Sequence, residues 1–151
     1  MIAQVRVKQL KVLADERGRL MEIMRADDEL FLGFGQVYIT TAYPGVVKAW
    51  HYHKLQDDLW VCASGMIRAG LYDLREGSPT YRQTQEVYLG EYNPILLRIP
   101  VGVAHGYKVV GNQPALLIYF VTTPYNREQP DEYRIPWDSP DIPFDWSLQN
   151  H

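Results

Sequence analysis

Between Gly45 and Gly65 the chain reads GVVKAWHYHKLQDDLWVCASG, and this stretch constrains the fold more than any other. Its first part, Val47 to His53, is rich in Val, Trp and Tyr. Such side chains suit a pleated, half-buried surface, so the segment reads as a strand. Side chains alternate across a strand, which puts His51 and His53 on one face and Trp50 and Tyr52 on the other, in the core or an interface. The same parity places Lys48 on the far face from His51 unless a bulge intervenes. Asp58 to Ser64 is a second strand, Ala63-Ser64-Gly65 a tight turn, and Met66 to Tyr72 completes a hairpin.

The rest of the chain repeats this pattern of short strands between turn signals. Residues 4–13 alternate polar and apolar positions, and Asp15-Glu16-Arg17-Gly18 is a turn. Residues 19–25 are readable as a strand or a short helix, and 26–34 as a loop or one helical turn. Further strands are expected over 35–43, 83–89, 94–100, 106–110 and 115–123, with a polar loop over 73–81 in which Arg75 and Glu76 form a solvated turn. No amphipathic helix of useful length precedes Thr123. The expected fold is all-β, a jelly roll, in a single domain over 1–151. From Pro124 onward the chain turns Pro-rich and irregular. It still carries Trp137, Phe144 and Trp146, which favours an ordered tail laid over the body or a neighbour.

Composition excludes several classes of function. A hydrophobic content of 46% argues against disorder, and a net charge of -3 against general nucleic-acid binding. No long apolar run or leader-like start is present, so no membrane association is expected and the compartment read is cytoplasmic. The single cysteine, Cys62, lies in an apolar strand and reads as a buried, inert thiol.

Pro100-Val-Gly-Val-Ala-His105 adds a third histidine at what reads as a turn. There its imidazole could simply satisfy local backbone groups. With His51 and His53 nearby, a site role is the stronger reading. The spacings G-x5-H-x-H-x4-D-x6-G and P-x-G-x2-H resemble the two cupin motifs, with Asp58 where the first usually has Glu. They converge His51, His53, Asp58 and His105, ligand types suited to a divalent metal.

A longer collinear set of segments carries a closer resemblance. It comprises Asp15-Glu16-Arg17-Gly18 with Glu22, Gln36-Val37, Gly45 to Tyr52, Asp73 to Thr80, Ile99 to Tyr107, Tyr125-Asn126 with Glu132, and Trp137 to Ile142 closing at Asp145-Trp146. In these the chain resembles the dTDP-4-dehydrorhamnose 3,5-epimerase family, jelly-roll cupins acting on nucleotide-linked keto sugars. The resemblance implies a homodimer, a dTDP-linked keto sugar as partner and no cofactor. It implies that His51 removes the proton beside the C4 ketone and that Tyr119 returns one from the opposite face. Tyr119 lies in ALLIYFV, where core packing is the rival role, and Tyr125 is a second candidate acid. Arg17 and Gln36 match positions that hold the diphosphate, and Glu22 one near the thymine. Lys48, His53 and His105 complete the substrate-binding candidates.

Four departures accompany it. Lys48 stands where the family has arginine, keeping charge but not the bidentate fork. Asp58 stands where the family has the lysine beside the enolate oxygen, and His53 where Gln is common. The carboxylate that partners the family's catalytic histidine falls in a segment beyond Trp146 that this sequence does not contain, and Asp58 is read in its place. The leading expectation is epimerisation of a dTDP-4-keto-6-deoxyhexose in polysaccharide precursor synthesis. The alternatives are a metal-dependent cupin enzyme using His51, His53, Asp58 and His105, a nucleotide-sugar keto-isomerase, and a non-catalytic sugar-binding cupin.

Overall fold

The computed structural model describes residues 1–148. The strands are β1 (Arg6–Gln9), β2 (Val12–Asp15), β3 (Gly18–Met21), β4 (Gln36–Ala42), β5 (Val47–Tyr52), β6 (Asp58–Ser64), β7 (Met66–Asp73), β8 (Thr84–Gly90), β9 (Ile95–Ile99), β10 (Val103–Val110), β11 (Ala115–Val121) and β12 (Tyr133–Arg134). They form two five-stranded antiparallel sheets, ordered β1-β9-β6-β11-β4 and β12-β5-β10-β7-β8, and a separate β2-β3 hairpin. From β4 to β7, and again from β8 to β12, the chain crosses from one sheet to the other at each step. That is the jelly-roll winding expected from the sequence. Among the described residues there is no helix, so none is long and apolar enough to cross a membrane.

Three apolar layers hold the sandwich. Between the sheets lie Trp60, Ile67, Leu71, Leu97, Val109 and Leu117, all nearly or fully buried. Leu10 and Leu30 cover Leu59, Val61 and Leu96 on the outside of the first sheet. Ile142 and Trp146 cover Trp50 and Tyr72 on the outside of the second. β6 is therefore buried on both faces, which is why its sequence runs apolar instead of alternating. The tail packs as its aromatics foretold: Phe144 and Trp146 sit 5.4 and 4.9 Å from the Trp50 ring. Trp137 is the exception, at 55% exposed.

Several local expectations are corrected. The strand read over 4–13 breaks at Leu10, whose backbone N–H leaves β1 to bond Pro94 O. Residues 19–25 give no helix: β3 ends at Met21, and Met21, Ile23 and Met24 pack against the Leu10 layer. β10 begins at Val103, three residues before the expected start, so His105 sits inside a strand and not at a turn. Arg75 is no solvated turn residue. Its guanidinium grips buried Asp73 and also donates to Ala3 O and Gln4, which ties the N-terminal segment down. Cys62 is buried as expected, and burial pushes its thiol up to about 12. Gly65, at φ +71°, makes the turn after β6; a Cβ there would meet Pro114 O at 2.5 Å.

One irregularity shapes the site. β5 pairs with β10 so that His51 faces His105 but Lys48 faces Tyr107. Three steps along β5 match two along β10, so β5 carries an extra residue at Ala49–Trp50. That bulge resets the parity and turns Lys48 to the same face as His51. Gly106 accommodates it, since a Cβ there would lie 2.3 Å from Ala49 Cβ and 2.7 Å from Lys48 O.

Candidate active site

The two sheets enclose a cavity of about 240 Å³ lined by Lys48, His51, His53, Asp58, His105 and Tyr119, together with Tyr38, Thr40, Trp60, Tyr107 and Glu132. Each sheet contributes one wall. Lys48, His51, His105 and Tyr107 come from β5 and β10, and His53 follows β5 directly. Asp58, Trp60, Tyr119 and Tyr38 come from β6, β11 and β4. A second cavity of about 430 Å³ adjoins it through the shared residues Tyr38, His53 and Glu132, and is lined further by Gln36, Gln56, Tyr125 and Asn126.

His51 is half-buried on the inner face, and its imidazole makes no hydrogen bond among the described residues. Burial, followed by the neighbouring His105, holds its imidazole down to about 4, while Glu132 pulls the other way. It is therefore neutral near pH 7, with a lone pair available to take a proton. Across the cavity Tyr119 is 7% exposed, stacked on Tyr38 at 4.8 Å and edge-on to Trp60 at 5.2 Å. Burial, then Tyr107, raises its pKa strongly, so it stays a neutral O–H donor. Among the described residues the Tyr107 hydroxyl is buried with no hydrogen-bond partner. Lys48 Nζ donates to Thr40 Oγ1 at 3.1 Å.

Asp58 is 2% exposed at the floor of the cavity. It accepts from Gln56 Nε2 at 2.9 Å and Trp60 Nε1 at 3.2 Å. His53 Nε2 lies 3.6 Å from Oδ1 and His105 Nε2 3.5 Å from Oδ2. Burial alone would raise the Asp58 pKa; the two imidazoles, His105 foremost, outweigh it and hold the carboxyl below the usual carboxylate range. Burial likewise works to lower His53, and Asp58 with the Asp131 carbonyl outweighs it, raising the imidazole. Each Nδ1 faces a backbone carbonyl, Asp131 O for His53 and Val103 O for His105. Asp58 thus lies between the floor histidines and not beside His51. The carboxylate acting on His51 is Glu132.

The structure gathers six sequence-derived candidates in one cavity: Lys48, His51, His53, Asp58, His105 and Tyr119. Gln36 and Tyr125 lie in the adjoining cavity, where Gln36 Oε1 accepts the Tyr125 backbone N–H at 2.8 Å, with the Tyr125 ring 55% exposed. Arg17 and Glu22 line neither cavity. Arg17 lies on the exposed β2–β3 hairpin paired with Asp15, and Glu22 pairs with Arg25. Sequence reasoning gave no role to Glu132, Tyr38, Gln56 or Asp131. Glu132 enters because β12 pairs with β5, Arg134 opposite His51. Asp131 accepts the backbone N–H groups of Lys54, Leu55 and Gln56 at 2.8–3.1 Å, fixing the loop that carries His53. No spacing rule announces either contact.

A family model described as dTDP-4-dehydrorhamnose 3,5-epimerase matches residues 1–151. The spore coat polysaccharide biosynthesis protein SpsL of Bacillus subtilis is 51% identical over 149 residues, covering 99% of each chain. Among solved structures, a dTDP sugar isomerase from Desulfovibrio desulfuricans superposes with a TM-score of 0.92 at 34% identity, covering 99% of this chain and 94% of that one. The dTDP-6-deoxy-D-glucose-3,5-epimerase of Legionella pneumophila, solved with dTDP-4-keto-L-rhamnose, gives 0.86 at 29% identity over 98% and 81% of the two chains.

Proposed function

The chain belongs to the dTDP-4-dehydrorhamnose 3,5-epimerase family, an isomerase family, and we propose that it inverts carbons flanking the C4 ketone of a dTDP-linked 4-keto-6-deoxyhexose with His51 as base and Tyr119 as acid. The observation that carries this is their placement on opposite walls of one cavity, His51 from β5 and Tyr119 from β11. A hydrogen α to a ketone is acidic enough for a positioned neutral imidazole. Inversion requires the proton to return from the other face of the ring, and the Tyr119 hydroxyl, on the wall facing His51, is the donor read for it.

The remaining roles follow from position. The inner cavity takes the sugar ring, with Lys48 and the Tyr107 hydroxyl as donors to its oxygens. The adjoining cavity, with Gln36 and Tyr125, takes the diphosphate and nucleoside. Glu132 stands at the junction and supports the His51 imidazolium as it forms. Arg17 and Glu22 would act from the hairpin of a second copy, making the working unit a homodimer. With a nucleotide-linked substrate, the compartment proposed for the reaction is the cytoplasm.

The test is incubation with dTDP-4-keto-6-deoxyglucose in heavy water, following C3 and C5 by NMR. Deuterium should enter at one or both carbons, and His51→Asn should slow entry by about 100-fold or more. A wild-type exchange rate in that variant would remove His51 from the mechanism.

A further inference from the structure

We infer that His53, Asp58 and His105 form a three-ligand site for one divalent first-row transition metal at the cavity floor. Asp58 is a buried carboxylate whose hydrogen-bond donors among the described residues are neutral, the Gln56 amide and the Trp60 indole. A carboxylate so placed demands a cation. Lys48 donates instead to Thr40 and Thr41. Arg98 is committed to Asp57 on the other side. The compensating charge must therefore be protons on the two imidazoles or an ion among the three side chains.

The geometry favours the ion. One ligand atom from each of the three side chains lies within 4.8 Å of the others. The two Nε2-to-oxygen separations, 3.5 and 3.6 Å, are too long for charge-assisted hydrogen bonds. They run to different oxygens of the carboxylate, so the three ligand atoms, spread over up to 4.8 Å, must draw together around an ion whose ligands stand about 2.1 Å away. Each imidazole turns Nδ1 to a backbone carbonyl, which assigns the N–H there and leaves the Nε2 lone pair toward Asp58. That is how metal-bound histidines are oriented, and the Gln56 and Trp60 bonds to the carboxylate supply the corresponding outer support. The open side faces the cavity, as at sites where a metal keeps a position for substrate.

The assignment narrows the four-residue reading of the sequence. His51 is not a member of the cluster and remains free for proton transfer. A metal held here would supply Lewis acidity toward a sugar oxygen, where the family's lysine is replaced by Asp58. That last role rests on the epimerase reading; the binding site does not.

The test separates the two. Protein stripped with EDTA is titrated with Co²⁺ and followed by visible absorption, with Zn²⁺ competition and metal content by mass spectrometry. One equivalent with visible d–d bands, displaced by Zn²⁺, is expected. Asp58→Asn and His53→Gln should each weaken binding by more than about 100-fold, since even outer-shell partners are worth 10–100-fold. His51→Asn should still bind one equivalent. Absence of saturable Co²⁺ or Zn²⁺ binding in folded wild-type protein would overturn the site, leaving Asp58 neutralised by protonated histidines. Loss of binding in His51→Asn would overturn the three-ligand assignment. Deuterium exchange measured separately in EDTA tests the epimerase reading, so either idea can fail alone.

Discussion

Gly106→Ala is the most informative single change, because it acts on the bulge that builds the cavity wall. A Cβ at Gly106 would lie 2.3 Å from Ala49 Cβ and 2.7 Å from both Ala49 Cα and Lys48 O. Ordinary carbon contacts begin near about 3.5 Å, so β5 must move off β10 by on the order of 1 Å. The atoms in the way are mostly backbone, and no rotamer change relieves them. Overpacking of this kind costs about 1–3 kcal/mol. For a chain of this length that lowers Tm by roughly 2–12 °C, which leaves the fold intact. The displaced segment carries Lys48 and His51, and a misplacement of about 1 Å in a catalytic group costs on the order of 100-fold in rate. Circular dichroism with thermal melting, beside kcat for deuterium exchange, measures both effects. A folded variant with wild-type kcat would refute the claim that the bulge places the base.

Tyr119→Phe should suppress inversion while leaving His51-side exchange, so deuterium would enter recovered substrate faster than epimer forms; equal slowing of both, read by NMR, would give Tyr119 a packing role instead. Arg17→Ala and His51→Asn should each be weak alone. Mixed after mild denaturation they should regain about a quarter of wild-type activity, one intact cavity in each hybrid of a symmetric dimer. No recovery would place Arg17 outside the site. Glu132→Gln should lower kcat about 10-fold or more with little change in KM, by removing support for the His51 imidazolium; an unchanged kcat would count against that role. Asp73→Asn should cost about 3–5 kcal/mol, because the fully buried carboxylate accepts from Arg75, Ser78 and Thr80. Burial works to raise the Asp73 pKa, but those partners hold it below the usual range. Its contribution is therefore whole above about pH 4 and fades as pH falls further. The Tm gap between wild type and variant should narrow in acid, and a gap constant from pH 7 to pH 3 would contradict the assignment.

The jelly roll was legible because its cause is local: strand-forming runs of period two, cut by Pro and Gly turns, leave few other ways to bury the apolar faces. Convergence of His51, His53, Asp58 and His105 was legible through the motif resemblance and not through strand spacing, because Asp58 comes from β6 in the sheet that faces β5 and β10. Tail burial on Trp50 followed from aromatics that had to go somewhere. What the sequence concealed depends on partners far along the chain. Strict alternation put Lys48 outside, and only the register of β10 against β5 reveals the inserted residue that brings it in. The signal was present in Gly106, but a glycine inside a strand announces a close approach without naming what approaches. Glu132 reaches His51 through a two-residue strand whose exposed sequence, Tyr-Arg, has no period to read.

Asp58 shows the same limit in its chemistry. Set against the family's lysine, it looks like a charge reversal at the point where negative charge develops, and one reading made it the partner of His51. Its position answers both points. At the floor, between His53 and His105, it does not touch the base, and its charge is offset by whatever occupies the space between those imidazoles. The substitution of Gln by His at position 53 and of Lys by Asp at position 58 then reads as one coupled change. Each is costly alone, since a buried carboxylate without a cation, or an imidazole pair facing a lysine, would be unfavourable. Together with His105 they would replace an ammonium by a site whose positive charge comes from imidazole protons or a bound ion. A variant carrying both His53→Gln and Asp58→Lys should accordingly recover more stability and exchange activity than either single change predicts. Additive losses in a double-mutant cycle would show that the two positions are independent.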